Sequence, residues 1–348
     1  MAFVTLKDIA RETGVSTAAV SQVLRNKGRV SDKTRQAVME AAARMGYVPD
    51  QRARAMRSSG NKTVGLLVPD LKNPYFADLV TSMEDELYGH GVSTLIGTSA
   101  EDLKRQDAFI ENLLGQRIDG AIVVPQGVAS PGVRSLIASD LPLVFVDRRV
   151  EGIESVPCVV SDPYTGIREA LRSLVALGHR RIGYVAHSSL GSFSVNERKV
   201  AFQSLASEIC AGEGGMVVDC DATYESHRHA VDTLLAREAT AVICAYSPDA
   251  ITIAGLLQDR HVAIGRELSL VSFDDIAAFR LMIPNMAVIS QQAELMAGRG
   301  VELLLETLRS GEHHGGTTFR VPTMYLPRES AGPLAPDPLD SDQSSPRG

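Results

Sequence analysis

The sequence predicts two unlike parts: a small all-α head with a helix-turn-helix, and an α/β body of two doubly wound parallel-sheet subdomains. Ala10, Gly14 and Val20 have the spacing of two short helices joined by a tight turn. After Asn61 the pattern changes, and short β-rich runs alternate with amphipathic stretches of helical length. This alternation restarts near Gly178, and we therefore expect two similar sheets with a cleft between them.

Capping signals predict three helices in the head. Thr5 and Asp8 form a capping box, so the first helix should begin near residue 6 and stop at Gly14. Ser16 is a suitable N-cap for a second helix and Ser31 for a third. The apolar residues expected to face inward are Val20, Val23 and Leu24 in the second helix and Ala37, Val38, Ala41 and Met45 in the third.

The charge distribution separates the same two parts. Residues 1–60 contain 11 Lys and Arg against 5 Asp and Glu, a net charge of +6, whereas the whole chain carries −7 and the remainder therefore −13. A second helix presented in this way fits the DNA major groove. Charge alone favours a merely solvated surface, but charge, spacing and caps together favour duplex DNA as a partner. The residues predicted to contact DNA here are Thr5, Lys7, Ser16, Thr17, Ala18, Ser21, Gln22, Arg25, Asn26 and Lys27.

Composition limits the class of protein. With 44% hydrophobic and 22% charged residues, the chain has an ordinary soluble composition. We find no apolar run near the roughly 18 residues of a membrane helix and no secretory leader pattern, so we expect a cytoplasmic protein with no membrane contact. The cysteines include no CxxC pair and are expected to be reduced thiols; they are Cys158, Cys210, Cys220 and Cys244.

The elements of the body follow from the alternating pattern. Ligands of parallel sheets bind at the carboxyl ends of strands, so residues directly after strands are the candidates for a binding site. The predicted strands are Val64–Val68, Val92–Ile96, Gly120–Val124, Leu143–Val146, Ile182–Ala186, Met216–Val218, Ala241–Ala245 and Leu270–Phe273. The predicted helices are Phe76–Tyr88, Leu103–Gln116, Gly166–Leu177, Glu197–Ile209, Ser226–Ala236 and Asp249–Asp259.

Several ordered motifs resemble the lactose-repressor/galactose-repressor (LacI/GalR) family of bacterial transcription factors, over about residues 4–330. The matching stretches are VTLKDIA at 4–10, GVS at 14–16, AAVSQVL at 18–24, GYVP at 46–49, RARAMR at 52–57, VGLLVPD at 64–70, NPYF at 73–76, LGHRRIG at 177–183 and SFDD at 272–275. The resemblance implies a periplasmic-binding-protein-like body that binds a small effector and forms a homodimer on double-stranded operator DNA.

By this resemblance, the chain divides into a head (1–48), a hinge helix or linker (49–60), a body (61–330) and a disordered tail (331–348). The amino-terminal subdomain would comprise about 61–161 and 291–320, and the carboxyl-terminal one about 162–290 and 321–330. The hinge would lie in the DNA minor groove with Met56 as its wedge, in place of the usual leucine. A plain charged linker is the alternative for this segment. The hinge residues expected to contact DNA are Arg52, Arg54, Met56 and Arg57.

The resemblance also implies an effector pocket. Arg198 matches the family's effector-gripping arginine and Asp274 its carboxylate after a strand; the alternative is that the two form a salt bridge between subdomains. The chain departs from the family at Asp249, where an Asn is usual, and at Ala222, where a stacking aromatic is usual. These departures weaken the prediction of a familiar sugar as effector. The other residues expected in the pocket are Asp70, Asn73, Tyr75, Phe76, Asp147, Arg148 and Asp249.

Two other classes of protein are the alternatives. An enzyme would need a catalytic motif, and no GxSxG, GxxxxGK[ST] or HExxH occurs. His227 and His229 are expected to lie on a polar helix face without partners at metal-ligand spacing, so neither a metal nor a cofactor is expected. A periplasmic sugar-binding protein would share the body but not the DNA-binding head. The sequence therefore predicts a transcriptional regulator, most simply a dimeric repressor that a metabolite controls.

Overall fold

The computed structural model describes residues 4–24, 28, 30–47, 62–187, 192–210, 215–311 and 315–334. The chain falls into two compact units, residues 1–61 and 62–348. The predicted hinge at 49–60 and most of the predicted tail lie outside the described residues. No helix formed by the described residues is long and apolar enough to cross a bilayer.

The first unit contains three helices: α1 (Leu6–Thr13), α2 (Thr17–Leu24) and α3 (Asp32–Arg44). The predicted capping box is present, because the backbone N–H of Thr5 donates to the Asp8 carboxylate at 2.9 Å. The predicted stop is also confirmed, since Gly14 takes the left-handed conformation at φ 68°. One prediction is wrong: Ala37 is exposed, and α3 instead buries Val38, Ala41 and Ala42. The buried core of the unit is Ile9, Val20, Val23, Val38, Ala41 and Ala42.

The first sheet of the second unit is entirely parallel, in the order β2-β1-β3-β4-β5-β11. Its strands are β1 (Thr63–Val68), β2 (Ser93–Thr98), β3 (Gly120–Val123), β4 (Leu143–Val146), β5 (Cys158–Asp162) and β11 (Thr318–Pro322). One face packs on α4 (Pro74–Gly89) and α12 (Ala293–Ser310), and the other on α5 (Leu103–Gly115) and α6 (Pro131–Ala138). Since both faces are covered, the central strands are almost continuously apolar.

The second sheet repeats this order as β7-β6-β8-β9-β10-β12, with β12 antiparallel to β10. Its strands are β6 (Ile182–His187), β7 (Met216–Cys220), β8 (Ala241–Cys244), β9 (Ser269–Phe273), β10 (Ala287–Ser290) and β12 (Met324–Leu326). The helices α7 (Pro163–Ala176) and α8 (Phe193–Ile209) cover one face. The helices α9 (Tyr224–Ala236) and α10 (Ser247–Asp259) cover the other, with α11 (Ala277–Leu281) beside them.

The chain passes between the two sheets three times. It crosses after β5 at Asp162, after β10 at Gln291, and between β11 and β12 at Thr323. The carboxyl ends of β1, β4, β8 and β9 meet the cleft between the sheets, which is where ligands of such folds bind. The eight predicted strands are all present, within about two residues at their ends.

Four strands and three helices were not predicted: β5, β10, β11, β12, α6, α11 and α12. The edge strand β11 alternates between half-buried and exposed residues and has little apolar signal. Helix α12 contains Gly298 and Gly300, which weaken the local helical preference. Gly300 has a packing reason, because a Cβ there would lie 2.8 Å from Cγ2 of Val146. Close contact of α12 with the sheet therefore overrides local propensity.

Candidate ligand cleft and nucleic-acid interface

The head presents one polar face on α2. Val20 and Val23 are buried, while Thr17, Ala18 and Gln22 are exposed on the other side of the same helix. Ser16 immediately precedes this helix, and its hydroxyl accepts a hydrogen bond from the backbone N–H of Ala19 at 3.2 Å. The remaining predicted contact residues fall into three groups: Thr5, Lys7 and Ser16 are exposed, Ser21 is half-buried, and Arg25, Asn26, Lys27, Arg52, Arg54, Met56 and Arg57 lie outside the described residues.

The cleft between the two sheets holds a small cavity of about 10 Å³, room for roughly one water. Five lining residues were not predicted: Ser192, Ser194, Val195, Tyr246 and Gln291. Seven of the nine predicted effector residues line it: Asn73, Tyr75, Phe76, Asp147, Arg148, Arg198 and Asp274.

The wall formed by the first sheet centres on Asp147, which follows β4 in the left-handed conformation at φ 65°. Its carboxylate accepts a 2.9 Å hydrogen bond from the Tyr75 hydroxyl. Burial raises the pKa of Asp147, and the cations Arg148 and Arg198 oppose that rise. Arg148 is itself held by a two-pronged pair with Glu101, both distances being 2.8 Å. The charge of Arg148 is therefore largely neutralised within its own subdomain.

The opposite wall centres on Asp274, which follows β9, also in the left-handed conformation at φ 67°. Gln291 donates to its carboxylate at 2.7 Å and Ser247 at 3.3 Å. Burial raises the pKa of Asp274, while Arg198 is the main opposing influence. Arg198 therefore opposes the rise in the pKa of both buried carboxyl groups, together with Arg148 at Asp147.

Arg198 is 4% exposed and its guanidinium lies over the Phe273 ring, 4.5 Å from the centroid. Its Nη1 donates to the carbonyl of Ala245 at 2.7 Å, whereas its Nε has no hydrogen-bond partner among the described residues. The predicted alternative of an inter-subdomain salt bridge between Arg198 and Asp274 is wrong. Both residues belong to the second sheet's subdomain, and no ion pair within 4.0 Å joins them.

Besides Arg198 Nε, a second buried donor at the cavity has no acceptor among the described residues. The hydroxyl of Ser192, at the start of α8, is buried and lacks a partner within the described part of the chain. The cavity therefore contains at least two donors without acceptors, beside two carboxylates. Buried polar groups are normally hydrogen-bonded, and orphaned ones indicate a site for water or a ligand.

A larger cavity of about 810 Å³ adjoins the small one and shares Ser192 and Val195 with it. It lies between the segment that follows β4, which includes Arg149 and Glu151, and the first turns of α8. This volume is typical of small-molecule sites, but the buried charges lie in the smaller cavity. We therefore take the small cavity as the recognition centre and the large one as its opening.

Two predicted effector residues lie elsewhere. Asp70 is half-buried, and its carboxylate accepts from the backbone N–H of Lys72 at 2.8 Å. Asp249 is buried behind the cleft wall, where it contacts His187 and His227. Neither side chain lines the cavity.

The expectation for His227 is wrong. This residue is 4% exposed rather than on a polar face, and its candidate ligand atom lies within 4.8 Å of those of Cys220 and Asp249. His229, in contrast, is exposed. The spacing rule failed because the three side chains come from β7, α9 and α10 and only tertiary folding brings them together.

The sequence carried a signal for some of the unpredicted cavity residues and not for others. Tyr246 comes two residues after β8, so the strand-end rule could have identified it. Gln291 follows β10, a strand of four residues of which only three are apolar. Ser192 and Ser194 lie at the start of α8, several residues beyond the end of β6. The strand-end rule applies to residues directly after a strand and therefore could not identify them.

Comparisons with known proteins agree with both parts of the chain. Residues 5–50 match the domain described as bacterial regulatory proteins, lacI family. Residues 171–331 match the periplasmic binding protein-like domain. The HTH-type transcriptional regulator GalR of Escherichia coli strain K12 is 30% identical over 303 residues, 86% of this chain and 88% of GalR.

Solved structures give the same result for the fold. The lac repressor dimer bound to operator and the anti-inducer ONPF is 22% identical, with a TM-score of 0.77 over 95% of this chain and 100% of that one. The complex of the transcriptional regulator CelR with cellobiose is 26% identical, with a TM-score of 0.66 over 94% of this chain and 99% of that one. The predicted fold class is therefore confirmed.

Proposed function

This chain belongs to the lacI family of bacterial regulatory proteins, and from that premise we propose that it is a repressor whose affinity for operator DNA is set by a small polar metabolite bound between the two sheets of its body. The head, residues 1–48, would read the operator, and residues 49–60 would form the hinge. The body, residues 61–330, would bind the effector and a second copy of the chain. The protein would work in the cytoplasm, where its DNA is.

The exposed face of α2 supports the DNA-binding part of the proposal. Thr17, Ala18 and Gln22 are small or hydrogen-bonding side chains of the kind that contact base edges, and the buried valines hold them outward. The head has the excess positive charge that attracts a polyanion, while the acidic body repels it.

One observation carries the proposal for the effector: the recognition centre holds two orphaned donors, Arg198 Nε and Ser192 Oγ, beside the acceptors of Asp147 and Asp274. A ligand that both accepts and donates hydrogen bonds at close intervals would satisfy all four. Sugar hydroxyls have that property, as do related polar metabolites. CelR is named in complex with cellobiose, and we propose a sugar-like or related compound here.

The small volume of the recognition centre requires movement. Ligand pockets commonly enclose roughly 300–1,000 Å³. The adjoining cavity has about 810 Å³, but the space among the buried charges has only about 10 Å³. The two subdomains would therefore separate to admit the effector, and the chain would bend at its three crossings between the sheets. A coupling of about 1–3 kcal/mol between effector and operator would change DNA affinity roughly 5- to 150-fold.

A dimer is supported by exposed apolar side chains on the body. Leu281 is 83% and Ile283 is 98% exposed, and Ile251 on α10 is 44% exposed. These three residues belong to the second sheet's subdomain. A second copy of this chain would cover them, and the two heads would then meet two half-sites of a near-palindromic operator.

The experiment that tests this function combines two measurements. Fluorescence anisotropy would be recorded on promoter fragments from the organism's own genome, across a range of salt. A panel of sugars, sugar acids and nucleosides would be screened by thermal shift, since a ligand that binds the native state raises its melting temperature. We expect specific, salt-sensitive binding that a stabilising metabolite weakens.

Two matched variants locate the effector site. Arg198→Gln should keep operator affinity but lose the response to the metabolite, because it removes the buried cation from the recognition centre. Arg168→Gln changes a partly exposed arginine on α7 and should respond normally. Failure of the wild-type protein to bind any promoter fragment, with or without metabolites, would overturn the proposed function.

A further inference from the structure

A second polar cluster lies behind the cleft, apart from the recognition centre. Its members are His187 at the end of β6, Cys220 at the end of β7, His227 in α9 and Asp249 in the first turn of α10. Each side chain is at most 5% exposed. The ligand atoms of Cys220, His227 and Asp249 all lie within 4.8 Å of one another. Four ionisable groups are thus packed together with almost no access to water.

The two nitrogens of His227 both face acceptors. Its Nδ1 lies 2.6 Å from the backbone carbonyl of Thr223, and its Nε2 lies 2.9 Å from Oδ1 of Asp249. A carbonyl only accepts, so Nδ1 carries a proton and donates it. A neutral ring then directs the lone pair of Nε2 at a carboxylate oxygen. Two acceptors at 2.9 Å repel, so a positive species must lie between them: a second proton or a metal ion.

The hydrogen bonds around His227 and Asp249 are of the kind that orient metal ligands. A histidine that binds metal usually donates its other ring N–H to a backbone carbonyl, which fixes the tautomer and aims the ring. The bond from His227 to Thr223 has that form. On the far side, His187 Nδ1 contacts Oδ2 of Asp249 at 2.8 Å and would orient that carboxylate.

We propose that Cys220, His227 and Asp249 form a binding site for a divalent transition metal ion, with Zn²⁺ as the best fit. Sulfur, imidazole nitrogen and carboxylate oxygen are the donor set that Zn²⁺ accepts, at roughly 2.0–2.3 Å, and the three side chains would fill three of the four positions of a tetrahedral site. The donors would move together by side-chain rotation. The ion would displace the proton that the Cys220 thiol donates to the Asp221 carbonyl and any proton between His227 Nε2 and Asp249, while Nδ1 of His227 keeps its own.

The position of the site connects it to the cleft. Asp249 follows Ser247, which donates to Asp274, and the ring of Tyr246 packs 4.7 Å from that of His187. A bound ion would fix the start of α10 and therefore one wall of the recognition centre. The ion would bind here whether or not the protein acts as a repressor.

Cobalt provides a direct test on the full-length protein. After removal of metals with a chelator, Co²⁺ would be titrated while the absorption spectrum is recorded. We expect saturation at one ion per chain, with thiolate-to-cobalt charge transfer in the near ultraviolet and the visible bands of a tetrahedral site. Added Zn²⁺ should abolish the spectrum and raise the melting temperature.

Matched variants identify the ligands. Cys220→Ser should lose the charge-transfer band, whereas Cys210→Ser, which changes another buried cysteine of the same subdomain, should keep it. His227→Gln should weaken Zn²⁺ affinity by more than about 100-fold. Circular dichroism would verify that each variant is folded.

The wild-type protein alone can refute the site. An unchanged spectrum and an unchanged melting temperature in the presence of Co²⁺ and Zn²⁺ would mean that a proton holds His227 against Asp249, and the metal site would be excluded even if the variants fail to fold. Retention of the charge-transfer band in folded Cys220→Ser would likewise exclude Cys220 as the sulfur ligand.

Discussion

Gln291 donates a 2.7 Å hydrogen bond to the Asp274 carboxylate, while its amide oxygen accepts a 2.8 Å bond from the Ser161 hydroxyl. Ser161 belongs to the first sheet and Asp274 follows a strand of the second. Gln291 lies at a point where the chain crosses between them. One side chain therefore joins the carboxylate of the recognition centre to the opposite subdomain.

Replacing this link should destabilise the body. In Gln291→Leu the buried Asp274 carboxylate and the Ser161 hydroxyl each lose a partner, which costs about 1–3 kcal/mol for each buried group left unsatisfied. Urea unfolding followed by circular dichroism measures the change. Gln258→Leu changes an exposed glutamine on α10 and should stay within about 0.5 kcal/mol of wild type. Equal free energies of unfolding for the two variants would show that the Gln291 hydrogen bonds do not stabilise the body.

The charge of Asp274 should oppose stability and serve ligand binding. Burial raises the pKa of this carboxyl group, so its ionised form is costly in the folded state. Asp274→Asn removes the charge at nearly constant volume. We expect a melting temperature equal to or above that of wild type, together with an effector affinity at least tenfold lower.

Asp70→Asn is the matched control, because Asp70 lies outside the cavity. It should leave effector affinity within about twofold of wild type, as expected for a surface change. The comparison is made by calorimetry with a metabolite identified in the thermal-shift screen. A larger loss of effector affinity in Asp70→Asn than in Asp274→Asn would show that the effector binds near Asp70 and not at the recognition centre.

The sequence predicted the elements whose determinants are local. The capping pair Thr5 and Asp8, the stop at Gly14 and the apolar strands all depend on neighbours a few residues apart. Periodicity also gave the two sheets, because each buried strand carries its own apolar run. These features need no knowledge of the rest of the chain.

What the sequence could not supply is the meeting of distant side chains. His227 was assigned to a polar face because its neighbours along α9 are polar, yet α10 covers it with Asp249. Arg198 and Asp274 were both identified, but the sequence could not tell that they lie on the same wall of the cleft. The family resemblance supplied positions in the chain, whereas distances and partners require the fold.

The turn of the head gives a prediction about backbone strain. Gly14 has φ 68°, and a Cβ added there would meet no atom within 4 Å. A side chain therefore costs only conformational strain, about 1–2 kcal/mol for most residues and more for a β-branched one. Gly14→Val should reduce operator affinity strongly while leaving effector binding intact, as anisotropy and calorimetry would show.

Gly14→Asn provides the control, because Asn tolerates the left-handed conformation far better than Val. It should retain most of the operator affinity. Loss of binding in both variants to the same degree would mean that the position serves DNA contact rather than turn geometry.

His179 predicts a dependence of stability on pH. Its Nε2 lies 2.9 Å from the carbonyl of Gly332, and its Nδ1 lies 3.1 Å from the Thr240 hydroxyl. The neutral ring satisfies both contacts, and burial lowers its pKa below the ordinary value of 6.5. Because the unfolded state then binds the proton more readily, this contribution is complete above 6.5 and is lost as pH falls through the lower folded pKa.

Thermal unfolding measured between pH 5 and pH 8 in wild type and His179→Gln tests this sign. The destabilisation caused by the substitution should be largest near pH 8 and shrink toward pH 5. His90→Gln, at an exposed position, should change stability equally at all pH values. A gap between wild type and His179→Gln that widens toward acid would contradict the assignment.

The exposed apolar residues of the second subdomain lead to a prediction about assembly. Ile283 is 98% exposed and Leu281 83% exposed, and these two large apolar side chains are only two residues apart in the chain. Apolar side chains that cluster on a surface mark candidate sites of association. If a second copy covers them, Ile283→Asp would place two charges in an apolar contact and shift the protein toward the monomer at micromolar concentration, as sedimentation velocity would show. Met39→Asp, at an exposed apolar residue of the head, should leave the sedimentation coefficient unchanged.

Because two half-sites are needed for tight operator binding, the monomer should also bind a full operator no better than wild type binds a half-site. An Ile283→Asp protein that remains dimeric would place the interface on another face.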